Sequence, residues 1–119
     1  MTTNSASVSE ASQWVEVCRL TDLTPDTGVC ALIENKQIAL FYSGKLNELF
    51  AIDNFDPIGK ANVLSRGIIG SQGDRICVAS PLYKQHFDLK TGECLEEPEH
   101  SVAAYAVKVE DEWVSIAIN

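Results

Sequence analysis

The chain has 119 residues, 45% of them hydrophobic and 22% charged, an ordinary composition for one globular domain. Its formal net charge of −8 argues against nucleic acid or an anionic membrane surface as a partner, since both call for a basic footprint. No apolar run approaches the roughly 20 residues of a membrane span, and the four cysteines (Cys18, Cys30, Cys77, Cys94) show neither Cys-x-x-Cys spacing nor the density of a secreted disulfide scaffold, so they are expected to be reduced and buried.

Residues 1–12 are rich in Ser, Thr and Ala, with no positive n-region and no apolar core. They are expected to be a flexible tail rather than a secretory signal. The alternation over 14–18 predicts the first strand. A turn-rich connection containing Pro25 and Gly28 follows, then an apolar strand over 28–33. Residues 34–37 turn the chain, and 38–42 return as the hairpin partner. Ser43-Gly44-Lys45 breaks the pattern before a strand over 48–53. Residues 61–65 are expected to form a single helical turn, too short to stand alone. Two short strands, 67–70 and 75–79, flank a hairpin loop at 71–74. Pro81 favours a loop, Phe87 and Leu89 alternate with Asp88 and Lys90, and Thr91-Gly92 supplies a tight turn. After an acidic connector at 96–100, strands over 103–109 and 112–118 finish the chain, with Glu110-Asp111 between them. Nine or ten short strands and no long helical period predict an all-β barrel or sandwich.

Two stretches carry a resemblance. Ser80-Pro81-Leu82-Tyr83-Lys84-Gln85-His86-Phe87-Asp88, followed by Thr91-Gly92, resembles the second cluster-binding loop of Rieske-type ferredoxin domains, Cys-Pro-x-His-Gly-x-x-Phe-Asp. Asp53-Asn54-Phe55-Asp56-Pro57-Ile58, then Leu64-Ser65-Arg66-Gly67, resembles the first, Asp-Asn-x-Cys-Pro-His with a Leu-Ser-x-Gly run. Asp56 and Ser80 stand where that family has cysteine; Ile58 and Tyr83 stand where it has histidine. A Rieske centre holds one iron by two thiolates and the other by two imidazoles. This set cannot rebuild it, so no cofactor and no metal are expected in the chain.

With these four substitutions and the Ala-Asn-Val-Leu-Ser-Arg-Gly run at 61–67, the chain resembles the small subunits of assimilatory NAD(P)H-dependent nitrite reductases over residues 13–119. The resemblance implies an antiparallel Rieske-like fold as one domain over 13–119, with residues 67–95 as a smaller inserted β subdomain. It implies a cytoplasmic chain bound to a large catalytic subunit, which carries FAD, sirohaem and an iron–sulfur cluster and reduces nitrite to ammonium. It also implies that the two loops meet at one tip. Asp56, Arg66, Tyr83, Lys84 and His86 are therefore the candidate partner contacts, and no catalytic residue is expected. Two other readings remain open: an electron-transfer ferredoxin of an oxygenase, and a small stand-alone enzyme using Cys77 or Ser80.

Other constellations point to little. Ser80, Asp56 and His86 lack the Gly-x-Ser-x-Gly elbow of a hydrolase triad. Cys77 and Cys94 lack the close paired spacing of zinc ligands. Gly67, Gly70 and Gly73 have no helix after them to cradle a phosphate. His100 is expected to be solvated.

Overall fold

The computed structural model describes residues 2–3 and 13–118. The tail expected over residues 1–12 lies outside them, apart from Thr2–Thr3 (β1). The remaining strands are β2 (Gln13–Arg19), β3 (Thr27–Ile33), β4 (Lys36–Ser43), β5 (Glu48–Asp53), β6 (Phe55–Asp56), β7 (Ala61–Asn62), β8 (Ile68–Gln72), β9 (Arg75–Ala79), β10 (His86–Asp88), β11 (Ala104–Tyr105), β12 (Val107–Glu110) and β13 (Trp113–Ile118). Three 3-10 turns, Leu20–Asp22, Leu64–Arg66 and Pro98–His100, are the helical content of the described residues.

A central sheet runs β1-β5-β4-β3, with β11 also paired to β5. One of its faces meets a second sheet, β12-β13-β2, around Ile38, Leu40, Leu49, Val107, Val114 and Ile116. The other face, with Phe41, Phe50 and Ile52, packs against Val78, Phe87 and Leu89 of the β8–β10 region and against Leu64. Covered on both sides, β4 and β5 read as continuous apolar runs at 38–41 and 49–52 instead of alternating. Each of these residues is at most 1% exposed.

The turns follow from local chemistry. Glu34-Asn35 and Asp111-Glu112 both take positive φ at two successive positions, the geometry that matches a two-residue hairpin to the twist of its strands. Both turns are therefore tighter than, or shifted from, those expected at 34–37 and 110–111. The helical turn expected over 61–65 is instead a two-residue strand followed by a 3-10 turn at Leu64–Arg66. The single strand expected over 103–109 is broken at Ala106. Ala104–Tyr105 pairs with β5 in the central sheet, whereas Val107–Glu110 pairs with β13 in the second. The break marks the point where the chain leaves one sheet for the other.

The third sheet, β10-β9-β8, spans Ile68 to Asp88. An isolated bridge from Phe87 to Cys94 adds to it. Gly92 closes its last turn at φ +82°, where a Cβ would lie 2.0 Å from the Val102 carbonyl oxygen. Glycine is required there on both counts. Cys77 and Cys94 are buried, but Cys18 is only half-buried and Cys30 is exposed, which corrects the expectation for those two. Cys30 lies on β3, an edge strand of the central sheet, where less packs over it.

Candidate functional site: two loops closed on each other

The first loop leaves β5 at Asp53. The Tyr105 hydroxyl donates to Asp53 Oδ1 at 2.5 Å, and the Ala103 N–H donates to Oδ2 at 3.2 Å. Lys36 Nζ lies 3.5 Å from the same carboxylate. Asn54, 2% exposed, ties the loop's two ends together. Its carbonyl accepts from the Leu64 N–H at 3.0 Å and its Oδ1 from the Ser65 N–H at 2.7 Å. Its amide donates to Gln37 Oε1 at 3.0 Å. Asn54 therefore anchors the loop, a role the sequence motif contained without revealing.

Asp56 is fully buried. Its Oδ1 accepts from the Ile58 N–H at 2.8 Å and the Gly59 N–H at 3.0 Å, a short side-chain-to-backbone turn. Its Oδ2 accepts the Ser80 hydroxyl at 2.5 Å. Ser80 is also fully buried and opens the second loop. Its N–H donates to the Gln85 carbonyl at 2.9 Å, and its own carbonyl accepts from the Lys84 N–H at 3.1 Å. The two positions where a Rieske domain has cysteine are thus joined directly, across 24 residues of sequence. A second contact lies beyond them. A Cβ on Gly59 would sit 2.3 Å from Leu82 Cδ1, so the two loops touch there through the Leu82 side chain.

A [2Fe-2S] cluster does not fit this arrangement. The space between the two cysteine-equivalent positions is a hydrogen bond, and the donors are one carboxylate and one hydroxyl where soft thiolates are needed. Ile58 packs against the core beneath the loops, and Tyr83 is 64% exposed. Among the described residues, no group of three or more His, Cys, Asp or Glu side chains is arranged to hold a metal.

The contact candidates separate into two kinds. Arg66, Tyr83 and Lys84 are exposed on the loops, with Leu82 beside them at 44%. Asp56 is buried with its carboxylate committed to internal donors, so it supports the loops from inside and offers no surface. His86 is half-buried on the outer face of the third sheet. Its Nδ1 and backbone N–H bind the two oxygens of Glu96 at 2.6 and 2.8 Å, and its Nε2 lies 3.2 Å from Gln72 Nε2. Burial alone would push the Glu96 carboxyl up; the His86 backbone and ring N–H outweigh it and hold it below its ordinary range. His86 is thus a clamp between β10 and the connector. The Asp56–Ser80 bond has no imidazole in it, so the three residues do not form a triad. His100 is 44% exposed, 4.0 Å from Glu97.

Arg75 spans the same outer face, with Nε 2.7 Å from Asp88 and a terminal nitrogen 2.6 Å from Glu93. Burial pushes the Cys77 thiol beneath it up to about 11, so it stays protonated and is a poor nucleophile at neutral pH. Sequence reasoning also missed Lys60, exposed on the first loop at φ +61°. The parallel between Asp56-Pro57-Ile58-Gly59-Lys60 and Ser80-Pro81-Leu82-Tyr83-Lys84 was the available signal.

Comparisons with known proteins agree with this fold. The Rieske-like [2Fe-2S] domain family matches residues 13–117. The NADH nitrite reductase small subunit of Escherichia coli K12 is 43% identical over 105 residues, covering 88% of this chain and 97% of that one. A solved structure described as a putative NADH-dependent nitrite reductase small subunit from Mycobacterium tuberculosis superposes with TM-score 0.87 at 36% identity, covering 92% and 98%. The nitrite reductase [NAD(P)H] large subunit of Klebsiella oxytoca contains a segment 41% identical to 98 residues here, 82% of this chain but only 10% of that protein. The ferredoxin of carbazole 1,9a-dioxygenase from Nocardioides aromaticivorans, at 24% identity and TM-score 0.74, shares the fold. Identity of 43% over 88% of the chain, on a Rieske frame whose loops are closed by aspartate and serine, makes this chain a member of the nitrite reductase small-subunit family within the Rieske-like domains.

Proposed function

We propose that the chain is the cofactor-free small subunit of a cytoplasmic NAD(P)H-dependent nitrite reductase, and that it supports a large catalytic subunit in reducing nitrite to ammonium. FAD, sirohaem and an iron–sulfur cluster belong to that large partner. The chain acts as one Rieske-like domain over 13–119, with 67–95 as its smaller unit. It contributes a rigid docking surface built from the two closed loops, with Arg66, Tyr83 and Lys84 at the contact and Asp56 and His86 as internal supports.

One observation carries this reading: a segment similar to this chain lies inside a protein named as a large subunit, where it takes up a tenth of the length. A module joined covalently to its partner in one protein and separate in another is expected to bind that partner in trans. The oxygenase-ferredoxin reading needs two thiolates and two imidazoles, and the four ligand positions, Asp56, Ile58, Ser80 and Tyr83, supply none of them. The test is reconstitution. The large subunit from the same source is assayed for nitrite-dependent NAD(P)H oxidation with and without this chain. Restored turnover and a stable complex are expected. A large subunit equally active alone that never retains the chain would overturn the reading, as would stoichiometric iron and acid-labile sulfide in this chain.

A further inference from the structure

We infer that the two loops form one cationic tip that docks onto an acidic face of the large-subunit chain. This rests on the partner proposed above and says which end of the molecule meets it, through which charges.

The loops repeat each other. In each five-residue run a proline follows the first residue, an aliphatic residue comes third and a lysine fifth. In each, the backbone N–H of the lysine donates to the carbonyl of the first residue, at 2.7 Å for Lys60 and 3.1 Å for Lys84. Both lysines take the left-handed conformation, at φ +61° and +68°, which is uncommon for a residue with a side chain and is fixed here by the turn. The first residues of the two runs are bonded to each other, and Gly59 of one touches Leu82 of the other. Lys60 and Lys84 therefore occupy equivalent places on two touching loops, with exposed Leu82 and Tyr83 beside them. Arg66 joins them, because Gly67 after it packs on Ala79, the residue before the second loop.

The charge balance singles out this end. Residues 53–67 and 80–88 hold three of the nine Lys and Arg residues and three of the seventeen Asp and Glu residues, and those three, Asp53, Asp56 and Asp88, all accept internal donors. The rest of the chain holds six cations against fourteen carboxylates. Among the described residues, Lys60, Arg66 and Lys84 make no ion pair. An apolar pair beside unpaired cations is the composition of an interface core and its rim. On an acidic body, such a tip orients encounter with an acidic partner. A second copy of this chain is the poorer occupant: tip against acidic body is a head-to-tail contact that gives open chains unless the rotation closes.

The experiment titrates the full chain against the immobilised large-subunit chain, for wild type, K60E/K84E and K45E/K90E. Lys45 and Lys90 line a groove with Gly73 and Asp74, at the opposite end of the third sheet, and serve as the charge-matched control. K60E/K84E is expected to lose at least about tenfold in affinity, and K45E/K90E less than about twofold. Raising salt from about 0.05 to 0.5 M is expected to weaken wild type and to leave the charge-neutral K60Q/K84Q nearly unchanged. K60Q/K84Q, with an unchanged melting temperature, guards against a folding artefact. Wild-type binding matched by K60E/K84E would overturn this inference and leave the partner standing. No wild-type binding would remove the partner as well. Concentration-dependent chain growth of the small subunit alone, abolished by K60E/K84E, would assign the tip to self-association and overturn the inference.

Discussion

The Asp56–Ser80 bond offers the sharpest test of the structure. Asp56→Ala removes an acceptor that serves three internal donors: the Ile58 and Gly59 N–H groups and the Ser80 hydroxyl. Both Asp56 and Ser80 are fully buried, so water does not replace the lost bonds without opening the loops. Leaving each donor unpaired costs about 1–3 kcal/mol, and partial loop opening recovers some of it. The net loss is therefore set at about 3–5 kcal/mol, among the larger effects of a point substitution. Ser80→Ala removes one donor and leaves the carboxylate its two backbone partners, for a loss of about 1–3 kcal/mol. The double variant is expected to fall short of the sum by about 1–2 kcal/mol, because the shared bond is counted twice in the single variants. Urea unfolding followed by tryptophan fluorescence measures all three, with the denaturant slope unchanged. An Asp56→Ala variant within about 0.5 kcal/mol of wild type, or strict additivity in the cycle, would refute the buried clasp.

Phe87→Ala should cost about 3–5 kcal/mol in the same assay, since Phe87 is fully buried between the third sheet and the central one. Gly92→Ala should cost roughly 2–3 kcal/mol, because a Cβ at φ +82° is strained and meets the Val102 carbonyl; a melting temperature equal to wild type would contradict that. Glu96 has a folded-state carboxyl held below its ordinary 4.5 by His86. Its contribution is fully present above that value and is lost as pH falls through the lower folded value. The stability gap between wild type and His86→Ala should therefore narrow as pH drops below 4.5, and a gap that widens there would reverse the sign of the argument. In native protein an aromatic disulfide reagent should modify exposed Cys30 first. Cys77 and Cys94, at most 1% exposed and with thiols pushed up by burial, should react only on unfolding.

The chain's strands were legible because hydrophobic period and turn residues are local signals. The strand expected over 48–53 is observed with the same bounds, and the hairpin partners at 28–33 and 38–42 lie within β3 and β4. The loss of every cluster ligand was equally legible, because thiolate and imidazole are properties of residue type. What was not legible needed residues far apart in the chain to meet. Nothing near Asp56 in sequence reveals that its carboxylate would be buried against Ser80, or that His86 would be held by Glu96 and not face the tip. The break at Ala106 is of the same kind, since either half of 103–109 could extend a strand and only the second sheet decides where the chain leaves the first. Sequence thus fixed what each segment is and which chemistry it has given up. The packing of three sheets around β4 and β5 decided which polar groups are enclosed and paired, because burial belongs to the whole assembly and not to any stretch of it.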